Sequence, residues 1–136
     1  MYQFMKNVVE IFGIVYLRFR LLPRVWCVWL VAINAVSLFF IQHIEAQVVL
    51  AVTLLSVILQ AFIYQRTGFS RIMGIVHISW IPMFIWMVSR SEAIVQNPDL
   101  FTWLIVLFAT NAVSLFIDTI DSIRYIRGER APHYCW

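Results

Sequence analysis

Residues Leu100–Gly128 read LFTWLIVLFATNAVSLFIDTIDSIRYIRG. No proline interrupts the stretch, and its only glycine is the last residue. The first eighteen residues are almost wholly apolar, enough for one membrane-spanning helix. The pattern then turns amphipathic without a breaker, so the spacing predicts a helix that continues past the hydrocarbon. At about 1.5 Å per residue it is about 40 Å long, against an apolar membrane core of about 30 Å. Asn111, Ser114, Asp118, Asp121 with Ser122, and Tyr125 recur in steps of three and four, which puts them on one helical stripe. A polar stripe inside a span avoids lipid and turns toward other helices or water.

The rest of the chain carries the same bias. Of 136 residues 62% are hydrophobic and only 12% charged, with a mean hydropathy of +0.85. A soluble domain of this length carries about 25% charged residues. The formal charge of +3 does not point to nucleic acid, because the basic residues stand at the ends of apolar runs, where they orient a chain and meet phospholipid. Arg18 and Arg20 follow the first apolar stretch where a secretory leader would have a small-residue cleavage site.

Working back toward the N-terminus, three more spans are predicted. The first is about 24–41, behind a break favoured by Pro23. The second is about 46–64, after the polar turn Gln42–Gln47, and the third about 72–88, after the turn Gln65–Arg71 with Gly68 as its punctuation. Pro82 is expected to kink the third span and free the carbonyl of Ile78. Residues 89–99 form the longest loop and end on the turn signal Asn97-Pro98-Asp99. The fourth span is about 100–123, with helical extension to about 127. Residues 1–20 alternate Phe4/Met5, Val8, Phe12, Val15/Tyr16 and Phe19 with Lys6, Glu10 and Gly13 on the other side. They read as an amphipathic helix in the membrane interface or as a packing helix that caps the bundle. Residues 129–136 form a tail. The division is thus an interfacial segment 1–20, a four-span unit 21–128 and a cytoplasmic tail. The fold class is all-α, an integral membrane antiparallel four-helix bundle.

Orientation follows from the cations. With four spans, Lys6, Arg18, Arg20, Arg24, Arg66, Arg71, Arg124, Arg127 and Arg130 share one side, nine in all, and Arg90 alone takes the other. That asymmetry predicts both termini in the cytoplasm of a bacterial inner (plasma) membrane. Trp26, Trp29, Tyr64 and Tyr125 fall near the inner boundary and Trp86 and Trp103 near the outer one, as interfacial belts do.

Two groups of polar residues inside the spans are candidates for contacts or chemistry. Counting from the inner arginines, Gln60, His77 and Asp118 each lie six residues from a marker, about 9 Å into the membrane for a helical rise. They form a predicted inner layer, with Asp121 one turn below. An ionisable residue inside a span is costly to bury and so is a functional candidate. A carboxylate beside a histidine can hold a proton or cation near neutral pH. The competing role is a hydrogen-bonded packing layer, with the carboxylates neutralised by Arg20 or Arg24. The second group is a near-repeat. AINAVSLF at 32–39 matches ATNAVSLF at 109–116 except at its second position. Depth counting places Asn34 and Asn111 within about one turn of each other, and the small neighbours Ser37 and Ser114 let helices approach. The first and fourth helices are therefore expected to pack there.

Other chemistries lack their residues. His43 with Glu45, and His133 with Cys135, do not make a four-ligand set. The histidines differ in depth, which excludes a bis-histidine haem. Cys27 and Cys135 both fall on the reducing side, so no disulfide is expected. No nucleophile elbow or phosphate-cradling glycine loop occurs. No cofactor and no metal are expected.

In size and span count the chain is similar to small four-helix drug exporters. The membrane-embedded glutamate that those carry in the first helix has no counterpart here, and no family follows. The leading function is non-enzymatic: a small interaction or accessory subunit, with the lipid bilayer and a second copy or another membrane protein as partners. The alternatives are a small oligomeric proton- or ion-coupled transporter or flippase using Asp118 and His77, and a membrane enzyme at the cytoplasmic leaflet.

Overall fold

The computed structural model describes residues 2–130, and every regular element in them is helical. The reading of 131–136, with His133 and Cys135, lies outside the described residues. Helix α1 is Tyr2–Arg18. Helix α2, Leu21–Ala35, runs into a 3-10 turn at Val36–Leu38. Helix α3 is Ile44–Thr67. A 3-10 segment, Arg71–Ser79, leads into α4 at Trp80–Ser89. A short α5, Ser91–Val95, precedes α6 at Pro98–Ile126. Among the described residues, four helical stretches are long and apolar enough to cross a membrane: Leu21–Leu38, Ile44–Thr67, Arg71–Ser89 and Pro98–Ile126.

The boundaries have local causes. Asn97 caps α6, its side-chain oxygen accepting from the Leu100 N–H at 3.2 Å, and Pro98 occupies the first turn, where an N–H has no helical partner. Gly68 stops α3 with φ +64°, a conformation that side chains with a Cβ rarely adopt. Arg24 turns back onto the end of α1, its guanidinium donating to the Phe19 carbonyl at 2.8 Å. The second span starts at Ile44, so Glu45, Ala46 and Gln47 belong to the helix rather than to the turn.

The third span differs most from expectation. Its first nine residues form a 3-10 helix, and Pro82 lies in the first turn of α4. Proline is tolerated there because early donors lack intrahelical partners. It therefore marks a change of helix type instead of interrupting a continuous α-helix. The nine residues explain the choice. Read in threes they are RIM-GIV-HIS. At three residues per turn, positions i, i+3 and i+6 eclipse. Arg71, Gly74 and His77 share the face turned to α6, where Arg71 meets Asp121 and His77 meets Asp118. Met73 and Val76 are buried, and Ser79 lies against Ser56 of α3. Ile75 and Ile78 are exposed.

The apolar core sits in the other half of the spans. Trp80, Met83, Phe84 and Met87 pack against Trp103, Leu104 and Leu107, closed by Ile33, Ala46 and Val49. Helix α1 packs on α3, with Phe4 against Phe62 at a ring-centroid distance of 6.3 Å. Its buried residues are Asn7 and Ile11, while Met5 and Val9 are exposed. Asn7 is only 2% exposed. It accepts from Gln3 at 2.9 Å and donates to the Ala61 carbonyl at 3.3 Å, which offsets its loss of water. Glu10, read as outward-facing, accepts from the Tyr64 hydroxyl at 3.0 Å.

Candidate functional site

The inner layer joins α3, the 3-10 segment and α6. His77 Nδ1 lies 2.7 Å from Asp118 Oδ2, and His77 Nε2 lies 3.4 Å from Gln60 Nε2. A carboxylate only accepts, so Nδ1–H donates to Asp118. Nε2 then accepts from the Gln60 amide. If the imidazole gains a proton, rotating that amide offers its oxygen to the new N–H, so both protonation states find a partner. The Trp80 ring stacks on His77 at 4.1 Å and 20°, closing the layer on the side of the apolar core.

One turn along α6, Asp121 accepts from Arg71 at 2.8 Å. The expected cations, Arg20 and Arg24, are not the partners of these carboxylates: Arg24 is engaged at the α1–α2 turn, and Arg71 reaches α6 because the 3-10 register aims it there. Both aspartates lie toward the C-terminal end of α6, where the helix dipole disfavours negative charge, and Arg71 and His77 offset that cost. Gly74 makes the close approach feasible. A Cβ on Gly74 would come within 2.8 Å of the Asp118 Cβ, too close for any real pair of carbons, so only glycine fits between the two elements.

The second layer is the near-repeat. Asn34 donates to Asn111 Oδ1 at 3.0 Å, and Asn111 donates back to Asn34 Oδ1 at 3.2 Å. Asn34 also donates to the Leu30 carbonyl at 2.8 Å and accepts from Thr53 of α3 at 3.3 Å. Asn111 is fully buried. Of the two serines named with them, Ser114 accepts from the Trp26 indole at 3.1 Å, and Ser37 is buried without a side-chain partner among the described residues. Trp29 donates to Thr110 at 3.1 Å. Trp26 and Trp29, two of the four tryptophans read as interfacial anchors, thus turn their N–H groups onto α6, and a third, Trp103, is buried and donates to the Ile33 carbonyl at 3.0 Å. Indole is large enough to present an apolar face outward while its N–H reaches a hydroxyl on the next helix.

A third contact lies at the opposite end. Glu45, 4% exposed, accepts from Arg90 at 2.8 Å, and the Arg90 guanidinium lies 5.2 Å from the Trp86 ring centroid. His43 Nε2 lies 3.4 Å from the Asn97 amide. The sequence reading missed Arg71, Gly74, Thr53 and the Glu45–Arg90 pair. Only Gly74 had a readable signal, the triplet period with glycine at its centre.

Among the described residues, no group of three or more His, Cys, Asp or Glu side chains is placed to hold a metal ion. Two shallow clefts lie away from the inner layer. One, of about 130 Å³, is an apolar notch between Met87 and Phe108, and the other lies along Met5, Lys6 and Val9 of α1. No family model, curated protein or solved structure matches the chain.

Proposed function

We propose that the chain is an antiparallel four-span bundle of the inner (plasma) membrane, with both termini cytoplasmic, and that it acts without catalysis as an interaction or accessory subunit. Its division would be residues 1–20 as the interfacial segment, 21–128 as the four-span unit and 129–136 as the cytoplasmic tail. The order of contacts supports the antiparallel arrangement: Trp26 meets Ser114, Trp29 meets Thr110, and Ile33 meets Trp103. The nine-to-one distribution of cations supports the orientation. One observation carries the functional reading. The charged and amide side chains at membrane depth pair across spans, as Asn34 with Asn111, His77 with Asp118 and Arg71 with Asp121. The surface offered to other molecules is then mainly apolar, with Ile85, Phe116 and Ile126 among its most exposed residues. Such a surface recognises lipid and other membrane helices through shape and packing. Affinity purification from native membranes in mild detergent tests this. A second membrane polypeptide held at fixed ratio supports it, and recovery of this chain with lipid alone counts against it.

A second reading is favoured by the Gln60–His77–Asp118 contact, which has a partner ready for either state of the imidazole. It makes the chain a small oligomeric proton- or ion-coupled transporter or flippase. Substrate flux in proteoliposomes that responds to a pH gradient and vanishes in Asp118→Asn would support it.

A further inference from the structure

We infer that Arg71–Ser79 is a two-state element: a 3-10 helix held by α6 that relaxes to an α-helix, turning Arg71 off Asp121, when the clamp is released. The inference goes beyond both functional readings and does not depend on either.

Four observations carry it. The segment is nine residues long, whereas 3-10 runs beyond three or four residues are uncommon because their hydrogen-bond geometry is poorer than that of an α-helix. Something outside the segment therefore favours the tighter form. Second, both ends of the eclipsed face are tied to one helix, Arg71 to Asp121 and His77 to Asp118, at 2.8 and 2.7 Å. All four side chains are largely shielded, at 11%, 14%, 13% and 22% exposure. Third, Gly74 sits between the ties with no room for a Cβ. Fourth, the two helix types are incompatible at this surface. Over the six residues from Arg71 to His77 an α-helix lags a 3-10 helix by about 120°. An α-helical segment could therefore present Arg71 or His77 to α6, but not both.

Relaxation also changes length. With the 3-10 segment, Arg71–Ser89 is about 33 Å long; as a continuous α-helix it would be about 28 Å, shorter by about 4–5 Å. The change is confined to the end bearing Arg71, because Trp80–Ser89 is already α-helical and lies in the apolar core. Counted from Trp80, relaxation turns His77 by about 60° and Arg71 by about 180°, so the Arg71–Asp121 contact opens while the packing around Trp103 and Leu107 stays in place. The residues thus form a switch at one end of a fixed span.

The test is nuclear magnetic resonance of the full chain in small lipid nanodiscs of phosphatidylcholine and phosphatidylglycerol. Native protein should show Hα–HN contacts between residues i and i+2, without i to i+4 contacts, across 71–79. Asp118→Asn combined with Asp121→Asn should replace this with the i to i+4 pattern. Gly74→Ala should do the same with every charged partner present. The side-chain amide signals of Asn34 and Asn111 report whether the rest of the fold survives; if the double variant loses them, Gly74→Ala decides. An i to i+4 pattern in the native chain, or a 3-10 pattern that persists in a folded variant, overturns the inference.

Discussion

Asn34 and Asn111, seventy-seven residues apart, exchange two side-chain hydrogen bonds of 3.0 and 3.2 Å between α2 and α6, and Thr53 adds a third from α3. One amide pair thus ties three of the four spans. An amide in hydrocarbon must find such partners, because lipid offers none.

Replacing either asparagine by leucine should therefore cost about 1 kcal/mol, the scale of polar contacts between membrane helices. The double variant should cost less than the sum, since each single change strands the other amide. Unfolding in mild detergent measures both, and strict additivity would show that the pair is not coupled.

The Glu45–Arg90 pair makes a sharper case. Glu45 is buried and its arginine partly exposed. Arg90→Gln leaves the carboxylate without its cation and should destabilise by about 1–3 kcal/mol. Adding Glu45→Gln should recover much of the loss by removing the stranded charge. The same unfolding assay checks it; no recovery would place the effect elsewhere, for instance in the Arg90 stack on Trp86.

Helix α1 should be docked rather than free on the membrane surface. Phe4→Cys with Phe62→Cys, in a background lacking the native cysteines, should cross-link rapidly with a short bifunctional thiol reagent. Tyr2→Cys, whose side chain is 83% exposed, should not cross-link to position 62. Equal yields for both would show that α1 does not hold this register.

Orientation gives a fourth outcome. In intact cells a membrane-impermeant thiol reagent should label Glu92→Cys, in the segment beside Arg90, the one cation the proposed orientation puts outside. It should label Glu129→Cys only after the membrane is opened. Labelling of position 129 in intact cells would reverse the assignment of the nine basic residues.

The pattern of what could be read follows from what a one-dimensional string encodes. The four apolar stretches are visible because membrane solvation acts on each separately. Depth is visible too, since rise per residue varies only between about 1.5 Å in an α-helix and about 2.0 Å in a 3-10 helix, which moves His77 by about 3 Å from its counted level. That is why Asn34 with Asn111, and His77 with Asp118, could be placed at similar levels by counting from arginines. Lateral position is not encoded. The cation facing Asp121 could be assigned to Arg20 or Arg24 when the rotation of the third span selects Arg71. The rotation was hidden because periods of 3.0 and 3.6 are hard to separate over nine residues, and the triplet RIM-GIV-HIS shows only when three residues per turn is tried. The inward turn of Trp26 and Trp29 was hidden for a related reason, since the amphipathic indole fits both a lipid interface and a hydroxyl-lined groove.

The proposed role is tested most directly by native mass spectrometry of the protein extracted with its surrounding lipid from the membrane in which it is naturally expressed. An accessory subunit predicts the 16.0 kDa chain bound to a different membrane polypeptide in one fixed ratio, unchanged by Asp118→Asn. Assemblies containing only copies of this chain and lipid would contradict that role.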